Sequence, residues 1–443
     1  MRYLSTRGAS PPCTLGEAVA RGLAPDGGLY VPETLPRAAA PAGPGAPPAL
    51  AAFARAFLAP FFEGDPLAAE LGAICDEALD FDTPLAPVPR APGRLSVLEL
   101  FHGPTCAFKD VGARFLAACL ARQPRDRALT VLVATSGDTG GAVAAAFYGR
   151  PGVRVVVLYP KGLVSARQRK QLACWGGNVT TLAVRGTFDD CQRMVKAAFN
   201  DPDLRARLEL SSANSINVGR LLPQAAYYAR AAHELYAREG ERPSFVIPSG
   251  NLGNALACVW ARAAGAPVGT IALATNANAV VPDFLRTGRY EPRPSVPTLA
   301  SAMDVGDPSN LERLRHLAPG LDALGSEVSA ESVDDDAIRR RIEQSARELG
   351  FVFCPHTAAA TEAYARMPEA RRAGAHWVLV ATAHPAKFES VVEPLVGHAV
   401  EVPESLARLL DRPPVEREIG PEPGELKALL SAEAPPPPPP AAG

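Results

Sequence analysis

Between about residue 96 and 412 the chain alternates short apolar runs with longer amphipathic stretches. The runs, at 130–134, 153–159, 179–184, 245–247, 270–274 and 378–381, are rich in Val, Ile and Leu with little polar alternation. That pattern predicts strands buried on both faces. Helical patterning predicts helices over 111–120, 140–148, 188–199, 220–238, 254–264 and 335–349. Strands alternating with helices in this way predict a parallel, doubly wound α/β sheet. Residues 1–95 differ: they read as turns and short helices, at 15–22, 50–58 and 66–79, closing in a Pro-rich stretch at 83–93. Residues 413–443 form a C-terminal extension that ends in the proline run 435–440, expected to be disordered and polyproline-like. The expected domains are therefore 1–95, 96–412 and 413–443.

Composition narrows the function classes. A chain of 443 residues has room for two or three structural units. Its 45 basic residues against 47 acidic ones leave a net charge of −2, so no basic field is present to hold a nucleic-acid backbone or an anionic membrane. The uncharged stretch 38–54 contains Pro41, Pro44, Pro47 and Pro48, which excludes a membrane helix there. Eight scattered cysteines without a CxxC pair argue against a disulfide scaffold or a metal finger. The N-terminus lacks an apolar secretory core. These readings predict a soluble, cytoplasmic, metal-free protein.

Four segments carry candidate chemistry. The first is Leu98-Glu99-Leu100-Phe101-His102-Gly103-Pro104-Thr105-Cys106-Ala107-Phe108-Lys109-Asp110. A Gly-Pro turn delivers Lys109 to the start of a helix, where the positive helix end favours the neutral amine, the form that attacks an aldehyde. Read alone, Lys109 is taken as a solvated surface lysine. The second is Pro248-Ser249-Gly250-Asn251-Leu252-Gly253-Asn254, a strand-to-helix turn whose N–H groups can converge on a phosphate without any Lys or Arg. It is otherwise a plain Gly-rich βα turn. It has neither a GK[ST] nor a GxGxxG pattern, which counts against nucleotide triphosphates and nicotinamide dinucleotides. The third, Thr135-Ser136-Gly137-Asp138-Thr139-Gly140-Gly141, offers hydroxyls and amides suited to a carboxylate, or a tight capped turn. The fourth, Ala381-Thr382-Ala383-His384-Pro385-Ala386-Lys387, puts a hydroxyl at a strand's carboxyl end, where open α/β sheets bind ligands. His384 there reads as a structural histidine.

In this order the four segments resemble the threonine synthase family. Leu23-Ala24-Pro25-Asp26-Gly27-Gly28-Leu29-Tyr30-Val31-Pro32-Glu33, Tyr159-Pro160-Lys161-Gly162 and Asn214-Ser215-Ile216-Asn217 extend the likeness from about residue 1 to 400. The resemblance implies the second fold type of pyridoxal 5′-phosphate (PLP) enzymes: two doubly wound parallel-sheet units with the site between them, plus a small N-terminal domain. It also implies roles. Lys109 matches the Schiff-base lysine, and Gly250, Asn251, Leu252, Gly253 and Asn254 match the loop for the cofactor's phosphate. Thr382 stands where a hydroxyl meets the pyridine nitrogen. Ser136, Gly137, Asp138 and Thr139 match the loop that receives the substrate's α-carboxylate; cysteine synthases usually have Asn where Asp138 stands.

The implied substrate is O-phosphohomoserine, a small molecule, with Lys161, Ser165, Asn217 and Arg220 as candidates to hold its phosphate. The implied reaction is γ-elimination followed by water addition at Cβ, giving L-threonine and phosphate. Rival readings are a phospholyase releasing a 2-keto acid and ammonia, a dehydratase or cysteine synthase, and a silent homologue acting as a binding protein. The intact lysine and phosphate loop count against the last. Neither a monomer nor a homodimer is favoured.

Overall fold

The computed structural model describes residues 1–38, 47–91, 93–125, 127–317 and 328–432; the expected proline tail at 435–440 lies outside them. In chain order the strands are β1 (Tyr3–Ser5), β2 (Tyr30–Pro32), β3 (Leu85–Pro87), β4 (Leu95–Glu99), β5 (Leu129–Ala134), β6 (Val153–Pro160) and β7 (Val179–Val184). They continue with β8 (Glu209–Ser212), β9 (Ser244–Pro248), β10 (Ile271–Thr275), β11 (Val328–Ser332), β12 (Trp377–Ala381) and β13 (Arg417–Ile419).

Two sheets organise the molecule. The smaller runs β13-β7-β6-β5-β8 and is parallel throughout. The larger runs β11-β10-β9-β12-β4-β3 and is parallel except for β3 against β4. Helices cover both, as the apolar runs require: β5 and β9 are buried along their whole length.

Edge and small-residue elements escape the hydrophobic pattern. β8 (ELSS) and β11 (VSAES) lie at sheet edges, where one side needs no apolar cover. The Pro355–Arg366 helix is buried almost all round by Ala and Thr, so it shows no amphipathic stripe. The helix expected over 66–79 is a 3₁₀ stretch, Pro66–Glu70, followed by an α-helix, Leu71–Ala78.

Two sets of contacts cross the compositional division. β3, from the segment given to the N-terminal domain, hydrogen-bonds into the larger sheet beside β4. The C-terminal extension is folded as far as Ala432: β13 joins β7, and Leu426 and Leu430 of the Pro423–Ala432 helix pack with Cys191 and Met194. Burial of those two leucines contributes roughly 1.5–3 kcal/mol each, which explains why a charged, Pro-rich segment docks.

The N-terminal region is fastened directly to the site's scaffold. Phe53, Phe57, Phe61 and Phe62 share one core with Phe115 and Leu116 of the Lys109–Ala121 helix, and Phe62 meets Phe115 edge-on at 6.1 Å. All eight cysteines are buried and unpaired. Among the described residues no helix is long and apolar enough to cross a membrane.

Candidate functional site

A cleft of about 480 Å³ lies where the carboxyl ends of β5 and β9 face each other, and Lys109 lines it together with Ser136, Thr139, Asn214, Ser215, Arg220 and Asn251. Lys109 opens its helix after a turn in which Cys106 adopts a left-handed φ of 54°. That turn is pinned to the end of β12: the Phe108 N–H donates to Thr382 O at 2.8 Å and the His384 N–H to Cys106 O at 3.0 Å. The lysine is thereby set beside Thr382. Desolvation, helped by the nearby Arg220 charge, pushes the Lys109 ammonium down to about 8.

On one wall, the 248–254 turn joins β9 to the Gly253–Ala263 helix. Leu252 takes the left-handed conformation at φ 61°, and a Cβ on Gly250 would lie 2.7 Å from Met303 Cα. The Asn251 side-chain amide donates to Ser215 Oγ at 2.8 Å, while Asn310 Nδ2 donates to Asn251 O at 3.0 Å. Asn254 Oδ1 accepts from the Tyr227 and Tyr228 hydroxyls. Asn254 Nδ2 and Ser249 Oγ are buried without a protein partner, and both residues line a cavity shared with Lys109, Thr382 and His356. Unpartnered donors at a helix N-terminus suit an anionic group. The residues present therefore fit PLP: an amine for the aldehyde and a neutral donor loop for the phosphate.

On the other wall, Thr135 Oγ1 accepts from the Gly137 and Gly140 N–H groups at 3.0 and 2.9 Å, folding the turn before the Asp138–Phe147 helix. Gly137 sits at φ 136°. Ser136 and Thr139 open onto the cleft, whereas Asp138 turns to Lys387 and Gln168, at 2.8 and 3.0 Å. Arg220 is 2 % exposed and donates to Ala213 O; burial pushes its guanidinium down to about 10, partly offset by Asp110.

Three of the expected phosphate-holding residues lie elsewhere. Lys161 is exposed and pairs with Glu418 of β13 at 2.6 Å, because the folded C-terminal segment supplies it with a carboxylate outside the cleft. Ser165 caps the Ala166–Ala173 helix and donates to Lys387 O at 2.8 Å. Asn217 is fully buried as the N-cap of the Val218–Glu239 helix, its amide spent on Val19 O and Ser212 O. Asn214 and Ser215 line the cleft with Arg220, and the cationic residues Arg193, Lys196 and Arg293 line it as well. The cap signal was present in the sequence: Asn followed by Val-Gly at a helix start.

Pattern reasoning also passed over His356. Its Nε2 accepts the Ala302 N–H at 3.1 Å, holding the Ala302–Met303 turn against Gly250, and burial pushes it down to about 4, which keeps it neutral. Nothing in its local pattern distinguishes it from a core histidine.

Three family models match the chain: "Threonine synthase N terminus" over residues 2–79, "Pyridoxal-phosphate dependent enzyme" over 78–383, and "Threonine synthase, C-terminal" over 357–429. A threonine synthase of Haemophilus influenzae is 38% identical over 428 residues, covering 94% of this chain and 96% of its own. The crystal structure of threonine synthase from Escherichia coli superposes with a TM-score of 0.86 at 35% identity, covering 98% of this chain and all of that one (100%). A PLP-bound threonine synthase from Brucella melitensis gives 0.87 at 34% identity, over 98% and 99% of the two chains.

Proposed function

This chain belongs to the threonine synthase family of PLP-dependent enzymes, and on that premise we propose that it converts O-phosphohomoserine and water into L-threonine and phosphate, with Lys109 as cofactor anchor and proton carrier. The observation that carries the reading is the setting of Lys109. Its amine is desolvated, pushed down to about 8, and placed in a cleft whose walls are two glycine-bearing strand-to-helix turns with Arg220 between them.

Lys109 would hold the cofactor covalently, the 250–254 turn its phosphate, and Thr382 would offer its hydroxyl to the ring nitrogen. When bound, PLP supplies an electron sink for the charge left at Cα. Ser136, Gly137, Thr139 and the N–H groups of that turn orient the α-carboxylate. Arg220, with Asn214 and Ser215, takes the substrate's phosphate and steadies it as it leaves Cγ. A lysine with a depressed pKa can take the proton from Cα, hand it on, and then take a second from Cβ. One proton goes to Cγ as the phosphate departs, and one returns to Cα as water adds its hydroxyl at Cβ. Burial first, then the nearby cations Arg220 and Lys387 working against Asp138, keep that amine easily deprotonated. The same reading puts the enzyme in the cytoplasm, acting on a small molecule, as a monomer or homodimer. It divides the chain into an N-terminal region, a two-unit catalytic region and a C-terminal segment docked on the smaller unit.

The test is spectroscopic and chemical together. The purified protein loaded with PLP is expected to be yellow and to release threonine and phosphate in equal amounts from O-phosphohomoserine. In Lys109→Ala the absorbance band should vanish and turnover fall on the order of a thousandfold or more. A colourless wild-type protein, or phosphate released with 2-oxobutyrate in place of threonine, would overturn the assignment.

A further inference from the structure

The turn assigned to the substrate's carboxylate contains a carboxylate of its own. Asp138 is 5 % exposed, within the turn whose Ser136 and Thr139 open onto the cleft, and it lines the cavity that holds Lys109 and Thr382. Left uncompensated, its charge would repel the anion that this turn is there to receive. The compensation comes from a residue that lines neither cavity. Lys387 is completely buried (0 % exposed) in the Pro385–Phe388 turn after β12, and its ammonium lies 2.8 Å from Asp138 Oδ1. Its second contact is Thr105 O, also at 2.8 Å. Thr105 in turn donates through its N–H and hydroxyl to Asp110, at 2.9 and 2.6 Å, immediately after Lys109. Gln171 Nε2, from the smaller unit, reaches the same Thr105 carbonyl at 3.1 Å. The backbone around Lys387 is held from the smaller unit too: Ser165 Oγ donates to Lys387 O and Arg167 to Ala386 O, at 2.8 and 2.5 Å.

We propose that Lys387 is a positioning residue: its buried ammonium neutralises Asp138 so that the 136–139 turn accepts an anionic substrate, and it ties that turn to the segment that carries Lys109. The inference rests on the carboxylate role given to that turn under the proposed function. Asp138 itself shows the effect: burial would raise its carboxyl, yet Lys387, with a hydrogen bond from Gln168, holds it below the usual carboxylate range. A buried charge whose partner is removed is strongly unfavourable, whereas removing both is tolerated. The pair therefore makes a prediction that a merely structural lysine would not.

In Lys387→Met, KM for O-phosphohomoserine should rise about tenfold or more with a smaller change in kcat, and Asp138→Asn/Lys387→Met should return KM to within about threefold of wild type. PLP absorbance and thermal unfolding, read on the same samples, report folding. Should Lys387→Met not fold, a folded double variant with near-native KM supports the pair equally. A single variant with unchanged KM, or a double variant no better than the single, overturns it. Thr139→Ala separates this from its premise: an unchanged KM there removes the carboxylate role of the turn, whereas a raised KM beside an unaffected Lys387→Met removes only the role of Lys387.

Discussion

The turns at 248–254 and 135–140 are built on one plan and differ in how they handle charge. Each follows a fully buried parallel strand, β9 or β5, opens with a hydroxyl residue and glycine, and runs straight into a helix N-terminus. The first holds no charged side chain and is clamped by neutral groups: Asn310, Ser215, two tyrosine hydroxyls and the Met303 backbone. Its open donors, Asn254 Nδ2 and Ser249 Oγ, are buried. The second holds Asp138, and its charge is answered from the other unit by Lys387. A neutral donor cradle suits a group that stays. A turn whose charge is balanced across the two units suits a ligand that comes and goes, since its geometry depends on how the units sit together.

Substitutions at the two glycines should separate these roles. Gly250→Ala drives a Cβ to 2.7 Å from Met303 Cα, a backbone atom that cannot swing away. Overpacking of this kind costs about 1–3 kcal/mol, so PLP affinity, read by absorbance titration of the apoprotein, should fall roughly 5- to 150-fold and activity with it. Gly137→Ala meets the far end of Gln168 at 2.6 Å and imposes a side chain at φ 136°. With strain of about 1–3 kcal/mol, KM for O-phosphohomoserine should rise on the order of tenfold while PLP absorbance persists. If Gly137→Ala lost PLP and Gly250→Ala kept it, the assignment of the two walls would be reversed. The smallest effect is expected outside the cleft. Lys161→Ala removes an exposed pair with Glu418, so steady-state kinetics should be unchanged and stability should shift by under about 1 kcal/mol in chemical unfolding. A raised KM there would return Lys161 to the site.

Much of this was legible from the sequence, for reasons that can be traced to particular elements. The six apolar runs became β5, β6, β7, β9, β10 and β12, because a strand buried on both faces must be apolar throughout. β8 and β11 were illegible because an edge strand owes nothing to one side. Lys109 and the 250–254 turn were legible because each is a local device, a helix start or a strand-to-helix turn. The set expected around a substrate phosphate was not. Arg220 reaches the cleft, yet Lys161 and Asn217, from equally suggestive motifs, are spent on Glu418 and on backbone carbonyls.

What the sequence determined by itself was therefore everything written at short range: the period of the strands, the glycine turns, and a lysine at a helix start. What only the tertiary structure decided was which polar groups are already satisfied by distant partners and which remain free to meet a ligand. Hydrogen-bonding capacity is consumed pair by pair across the fold, as between Lys387 and Asp138 from different units, and no local pattern records which partner arrives.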